Sequence, residues 1–291
     1  MIERLHEKCL ICDGKYLTPL RGYQKFYLVQ CRLCGFVFSQ KIPDDHELIS
    51  IYKNYGRDDY LSPVTVKRFH EILDALEKFR LTNNLLDVGC GIGYFLEAAR
   101  SRGWNIYGTE FTENAVEICR RKEITMHQGE LNSGNYKAEY FDVIISIEVI
   151  EHINHPVEEV RKFSSVLRSG GAVYLTTPNF NSLSRKMLKE KWNVLSYPEH
   201  LCYYTPRTLK RLFKKQDFTD QKIETTGISI TRMKAGITQS DQKAIAAGSE
   251  DEKIRKAIEG NPVLQLFKSA INNSLNLIKR GDNLKATFIK K

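Results

Sequence analysis

From residue 85 onward, short apolar runs alternate with stretches whose apolar positions recur every three to four residues. The runs at 85–88, 106–109, 124–130, 141–147 and 172–177 read as strands. The stretches at 94–100, 113–122 and 157–167 read as helices, the first presenting Phe95, Leu96, Ala98 and Ala99 to a sheet. Pro178 stops the fifth run. Thr205 and Pro206 have the N-cap and first-turn chemistry of a further helix. A sixth strand is expected at 218–230. Strands and helices in alternation predict an α/β fold with a parallel, doubly wound sheet. Upstream, Val66, Phe69, Ile72, Leu73, Leu76 and Phe79 share one face of a helix expected at 64–79. Two stretches break the alternation: a basic, aromatic insertion at 179–204 and a second at 232–281. The second is polar at first, then carries an apolar stripe through Val263, Leu264, Leu266, Phe267, Ala270, Ile271, Leu275 and Ile278. Alternation returns at 283–291, read as a final edge strand.

The first βα junction carries the most local chemistry. Asp87-Val88-Gly89-Cys90-Gly91-Ile92-Gly93 sets three glycines at alternate positions between a strand and a helix. Glycine permits a tight turn and a close approach of ligand to main chain. The dinucleotide pattern G-x-G-x-x-G would need a third glycine where Tyr94 stands. Asp87 would oppose a pyrophosphate but suits a cationic ligand. Glu110 ends the next strand, where a carboxylate takes ribose hydroxyls.

These pieces, in this order, resemble the class I S-adenosylmethionine (SAM) methyltransferases. The resemblance implies a seven-stranded, Rossmann-like sheet whose last strand is antiparallel. It implies that Asp87, Gly89, Cys90, Gly91 and Gly93 wrap the methionine end of SAM. Glu110, with Phe111 beside it, would hold the ribose; Glu130 and Leu131 would flank adenine; Glu148 would face the same rim.

Cys9, Cys12, Cys31 and Cys34 are spaced C-x₂-C-x₁₈-C-x₂-C, with Gly14 and Gly35 close behind the pairs. Two thiolate chelates suit a closed tetrahedral Zn²⁺, which is structural because no position stays open for chemistry. A 40-residue segment needs such a staple. The chain is therefore divided into a zinc ribbon (1–40), a linker and helix (41–84) and a SAM-binding domain (85–291) with the two insertions. Pro43, Leu48, Tyr52, Tyr55 and Tyr60, and later Pro198-Glu199-His200-Leu201 with Tyr204-Thr205-Pro206, resemble the methyltransferases common in sugar and cell-surface glycan biosynthesis. In that group the tyrosine-bearing region can close over the cofactor; packing alone is the other role for Tyr52 and Tyr55.

Glu148-Val149-Ile150-Glu151-His152 puts two carboxylates and an imidazole at i, i+3 and i+4, one face of a helix. Ubiquinone-pathway O-methyltransferases and small-RNA 2′-O-methyltransferases carry a similar metal-binding E-x-x-E-H with a further His, here His200. Three readings stay open: a divalent cation such as Mg²⁺ at Glu148, Glu151 and His152; His152 as metal-free general base, with His200 and Glu151 beside it; or a structural Glu151–His152 pair.

Length and composition constrain the partners. With 291 residues, 42% hydrophobic and 27% charged, the chain is globular in character. It lacks an apolar run of about 18 residues, so no membrane span is expected. The N-terminus has no stretch of signal-peptide length, and a cytoplasmic protein with free or metal-bound thiols is expected. The net charge of +9 is uneven: residues 179–216 and 253–291 carry +7 each, leaving the rest at −5. That favours an anionic small-molecule acceptor, if it is not merely a solvated face. Nucleic acid is not the expected partner, because the ribbon itself is not strongly basic and no helix-turn-helix or RNA-binding signature appears. The leading reading is methylation of a nucleotide- or lipid-linked sugar. The alternatives are a ubiquinone-pathway-like O-methyltransferase and a nucleic-acid methyltransferase or binding protein. For the stripe at 262–280, packing on the core or on a second copy stands against peripheral contact with a membrane.

Overall fold

The computed structural model describes residues 4–44, 46–48, 61–227, 253 and 257–291. Tyr52, Tyr55, Tyr60, the end of the expected sixth strand and most of the polar half of the second insertion lie outside these residues.

The main sheet has seven strands in the order β10-β11-β8-β7-β4-β5-β6. These are β4 (Asn84–Val88), β5 (Asn105–Glu110), β6 (Thr125–Gln128), β7 (Phe141–Ile147), β8 (Leu167–Pro178), β10 (Phe218–Thr226) and β11 (Asn283–Lys290). β4 to β8 are mutually parallel, and β11 runs antiparallel to both neighbours. The chain steps from β4 outward to β5 and β6, then crosses back to β7 on the other side of β4. Ligands of such sheets sit in the crevice at this reversal.

β4 and most of β7 are buried on both faces, which explains their unbroken apolar runs. Helices α1 (Pro63–Leu76), α2 (Tyr94–Arg100) and α3 (Glu113–Arg121) cover one face. Helices α4 (Pro156–Val166) and α6 (Pro206–Lys214) cover the other. α6 starts where its cap chemistry predicts: Thr205 and Thr208 cap each other reciprocally.

Two expectations are corrected. β11 is not an edge strand; it lies between β8 and β10, and β10 is the edge. Alternation along 283–290 reports that one face is buried. It does not report how many neighbours share the ladder. The fifth strand also begins earlier, at Leu167, and takes in Gly170 and Gly171. A Cβ at Gly171 would stand 2.9 Å from the Asp142 carbonyl, so a glycine lets β8 start against β7.

The N-terminal segment forms a second sheet, ordered β1-β2-β3-β9. Here β1 is Leu17–Pro19, β2 Leu28–Cys31, β3 Val37–Ser39 and β9 Cys202–Tyr203. The outer strand β9 comes from the 179–204 insertion, which also contains the short helix α5 (Leu183–Leu188). Phe36, Phe38 and Tyr204 join the buried cluster that runs through to Leu86 and Ile144 under the main sheet. Ribbon and main sheet thus share one core.

The late helix α7 (Pro262–Leu277) presents its apolar stripe outward. Leu275 is buried, whereas Leu266, Phe267 and Leu277 are 72%, 63% and 84% exposed. The amphipathic period is present, but the core does not meet it. Among the described residues, no helix is long and apolar enough to cross a membrane.

Candidate active site

The glycine turn after β4 is shaped by backbone that other residues resist. Gly89, Gly91 and Gly93 all have positive φ (71°, 55° and 83°). A Cβ at Gly89 would lie 2.6 Å from Val149, and one at Gly93 2.5 Å from Ile124; at Gly91 it would meet nothing within 4 Å. The outer glycines are packing requirements, and the middle one opens onto free space. The Gly89 and Cys90 amides donate to the Thr109 carbonyl. The Cys90 side chain turns inward to Met126, so only its main chain belongs to the turn. Gly91 N donates to Glu110 Oε2 at 3.0 Å, while Glu110 Oε1 accepts from the Phe111 and Thr112 amides at 2.8 and 3.2 Å. Asp87 is buried beneath; burial, with Cys119 and Glu110 adding, pushes its carboxyl well above the usual range. Gly89, Glu110, Phe111, Leu131, Val149 and Ile153 line a slot beside the turn. Glu130 stands at its mouth, exposed and paired with Lys162 at 3.0 Å.

Across the reversal, the rim of β7 and β8 carries side-chain chemistry. Ile150–His152 form a single 3₁₀ turn. Glu148 lies before this turn with φ 54°, an outlier for a residue with a Cβ. Its carboxylate accepts from Thr176 Oγ1 at 2.7 Å. The expectation that Glu148, Glu151 and His152 share a helix face is therefore corrected: no helix spans 148–152. The group close enough to hold an ion is Glu151, His152 and His200, each offering one ligand atom within 4.8 Å of the others. Glu151 is buried and accepts from Thr177 Oγ1 at 2.9 Å. His152 Nδ1 donates to the Glu199 carbonyl at 2.7 Å, and His200 Nδ1 to that of Val194 at 2.6 Å. A carbonyl accepts only, so in the neutral form each ring carries its proton on Nδ1 and leaves Nε2 unprotonated. The rings meet edge to face, centroids 4.7 Å apart. Burial pulls the His152 pKa below its usual value, opposed by Glu199 and Glu148.

The four ribbon cysteines converge. Cys9 and Cys34 Sγ are 3.5 Å apart, as are those of Cys12 and Cys31, and all four lie within 4.8 Å. A tetrahedral Zn²⁺ with bonds of about 2.3 Å needs sulfurs about 3.8 Å apart. The knuckles match bond for bond. Asp13 N donates to Cys9 O, and Gly35 N to Cys31 O; Cys9 N donates to Gly14 O, and Cys31 N to Phe36 O. Asp13 and Gly35 both have positive φ. Gly35's counterpart is thus Asp13. Gly14 is required for a different reason: its Cβ would stand 3.3 Å from two of the sulfurs.

A methyltransferase-domain family model matches residues 61–223, just over half of the chain. The chain belongs to this family. Within it, the chain is 31% identical over 134 residues to the ubiquinone biosynthesis O-methyltransferase of Haemophilus ducreyi, which is 42% of this chain and 54% of that protein. It is 25% identical over 138 residues to that of Nitrosomonas europaea, 43% and 54%. The chain spans about half the length of these curated relatives. A SAM-dependent methyltransferase from Archaeoglobus fulgidus shares the fold with a TM-score of 0.54 and 18% identity, over 85% of this chain and 100% of that one. The geranyl diphosphate C-methyltransferase of Streptomyces coelicolor does so at 0.52 and 14%, over 77% and 78%.

The methyltransferase domain fits SAM. Its turn opens at Gly91, two buried carboxylates stand at the ends of adjacent strands, and an apolar slot lies between. One residue escaped the sequence reading. Glu159 lines the same slot, buried on the apolar face of α4 beside Val160 and Phe163. Burial pushes its carboxyl up to about 7, against Lys162 at 3.4 Å. An acid on the inner face of an amphipathic helix was the available signal.

Proposed function

We propose that this SAM-dependent methyltransferase methylates a hydroxyl of an anionic small molecule, with His152 as general base. The supporting observation is the pair of imidazoles whose Nδ1–H groups are fixed on carbonyls, leaving Nε2 free of its proton at the rim. The turn that bears His152 also supplies Val149, which packs on Gly89, and leads into Ile153 in the slot. Base and cofactor cradle are therefore neighbours.

When bound, SAM supplies a methyl group already activated on a sulfonium. Asp87 and Glu110 would hold its amine and ribose hydroxyls, and Leu131, with Glu130 beside it, the adenine. His152 Nε2 would take the proton of the acceptor hydroxyl as the methyl passes to oxygen and the thioether leaves, and the Glu199 carbonyl keeps the ring in the required tautomer. Because burial lowers its pKa, His152 is neutral and ready near pH 7. Glu151 and His200 orient the acceptor. A second reading is favoured by one observation: Glu151, His152 and His200 form a carboxylate–imidazole set suited to a divalent cation, with each Nδ1 anchored as metal-bound histidines are. There the three residues would hold Mg²⁺ or a similar ion, which lowers a hydroxyl pKa. EDTA leaves short-time turnover unchanged in the first reading and abolishes it in the second.

For the acceptor we propose a lipid- or nucleotide-linked sugar. The competing class is the ubiquinone-pathway phenol, supported by the relatives above. The ribbon and α7 lie outside the region matched to the family. Between 262 and 280 the chain carries Lys268, Lys279 and Arg280 and no acid, beside the exposed stripe. This supports docking of α7 on an anionic lipid surface. Flotation with anionic vesicles at low salt should carry the protein upward, and Phe267→Asp should abolish it. Flotation unaffected by Phe267→Asp, or none at all, rejects the lipid surface; a second copy on the stripe would show as a dimer instead. A methyl-transfer screen over sugar nucleotides, lipid-linked sugars and polyprenylated phenols tests the acceptor; turnover on the phenols alone would sink the sugar reading.

A further inference from the structure

The α1 face of the sheet carries a polar patch that neither the cofactor turn nor the His152 cluster uses. Leu284, Ala286 and Phe288 of β11 point into the core under α4 and α6, so Lys285 points to the α1 face. Lys285 stands opposite Thr176 of β8 on one side and Glu224 of β10 on the other. Thr176 is the residue that donates to Glu148. Lys285 is therefore one ladder spacing, about 5 Å, from the support of the acceptor rim.

Lys285 is half-buried, and among the described residues its side chain makes no hydrogen bond or ion pair. Of the acids within reach of its charge, Glu224 pairs with Lys222 at 2.9 Å, and Glu71 is exposed, 3.9 Å from Lys67. Cations stand nearby, Arg68 on α1 and Lys268 on α7. The helices that bear them are tied together by Glu259, which bridges Lys67 at 2.7 Å and Lys268 at 2.9 Å. Burial and Arg68 hold the Lys285 ammonium below the usual lysine range. A half-buried ammonium beside cations, with Glu224 and Glu71 near but not bonded to it, is only partly compensated. It becomes favourable when an oxyanion enters and accepts charge-assisted hydrogen bonds.

We propose that Lys285, with Arg68 and Lys268, binds the anionic group of the methyl acceptor, a phosphoryl or a carboxylate. This rests on the reading of the Glu148–His152 rim as the acceptor side. It turns the chain's positive charge into a subsite beside that rim.

The test uses the full-length protein with SAM bound, titrated calorimetrically with inorganic phosphate and separately with acetate at constant ionic strength. Saturable binding of either probe is expected, and the stronger probe tells phosphoryl from carboxylate. Lys285→Met should weaken it by about tenfold or more, with SAM affinity unchanged. Lys285→Arg should retain it. Without probe, Lys285→Met should melt no lower than wild type, because it removes a desolvated charge; a lysine that only packs would cost stability. If Lys285→Met does not fold, Lys285→Gln is read in its place. Equal probe binding in wild type and the neutral variants, or no saturable binding by wild type, overturns the subsite. Failure of wild type to bind SAM would instead sink the methyltransferase reading on which it rests.

Discussion

The two sides of the chain reversal are built from different materials. On the β4–β5 side, main chain does most of the shaping: three left-handed glycines, amides satisfied by the Thr109 carbonyl, and one carboxylate held by three backbone N–H groups. On the β7–β8 side, side chains from distant segments converge: Glu151 and His152 after β7, Thr176 and Thr177 from β8, and His200 from the insertion before β9. A cofactor common to many enzymes can be met by backbone, which hardly varies with sequence. An acceptor particular to one enzyme must be met by side chains. Substitutions on the two sides should therefore fail in different ways.

The largest effect is expected on the acceptor side. His152→Ala should lower turnover by about 10²–10⁴-fold, the usual contribution of a positioned base. SAM affinity should stay within about twofold, since His152 is not among the residues that line the slot. A calorimetric loss of SAM binding in this variant would break the division. The wild-type rate should hold down to pH values below the ordinary histidine pKa and fall only under it, because burial lowers the His152 value.

The converse variant lies on the donor side. Glu110→Ala removes the acceptor of the Gly91, Phe111 and Thr112 amides and, on the proposed reading, of the ribose hydroxyls. Leaving such groups unpaired costs about 1–3 kcal/mol. SAM affinity should fall by about 5- to 150-fold, while turnover at saturating SAM changes much less. Equal affinity in calorimetry would sink the cofactor assignment.

Glu159 lies under the slot and gives a pH signature. Its folded pKa, about 7, is above its ordinary value of 4.5, so the neutral form is favoured by the fold. Its contribution is fully present below about pH 4.5 and is lost as pH rises toward 7. Across that window wild-type stability should drop by up to about 3 kcal/mol from this group. Glu159→Gln should remove the drop and melt higher than wild type at pH 8. Parallel melting curves for the two proteins from pH 5 to 8 would show that Lys162 keeps the carboxylate ionised.

The donor side was legible because its chemistry is local. Asp87, the three glycines and Glu110 fall within 24 consecutive positions, each with a backbone reason. The four cysteines were legible for the same reason, although Asp13 hid its likeness to Gly35 because a non-glycine can hold positive φ in a knuckle. The acceptor side was legible only in part. Treating 148–152 as a helix misplaced Glu148, since nothing in its side chain announces a left-handed backbone. Lys285 escaped because a lysine in an alternating strand reads as solvent-facing. β9 escaped because two residues carry no period; its pairing with β3 joins Val37 to Tyr203 and Phe38 to Cys202, far apart in the chain.

That pairing leads to the smallest and most selective effect. β9 is held on one side by β3: Val37 pairs with Tyr203, and Ser39 N donates to Leu201 O at 2.8 Å. On the other side Leu201 N donates to the Glu151 carbonyl, also at 2.8 Å. His200 stands two positions before this strand. The ribbon in which the cysteines converge therefore braces the loop carrying His200 and the turn carrying Glu151 and His152. With Zn²⁺ as the proposed ion, purified protein should hold about one zinc per chain, and Cys31→Ser should lose it. If the ribbon served only its own stability, turnover of the folded variant would match wild type. Instead, turnover should fall by about tenfold, as when a group that orients an active side chain is lost. SAM affinity should stay within about twofold. Hydrogen exchange should rise at 200–204 as well as at 28–39, while 85–93 remains protected. Protection unchanged at 200–204 would separate the ribbon from the acceptor side; a matching loss of SAM affinity would erase the difference between the two sides.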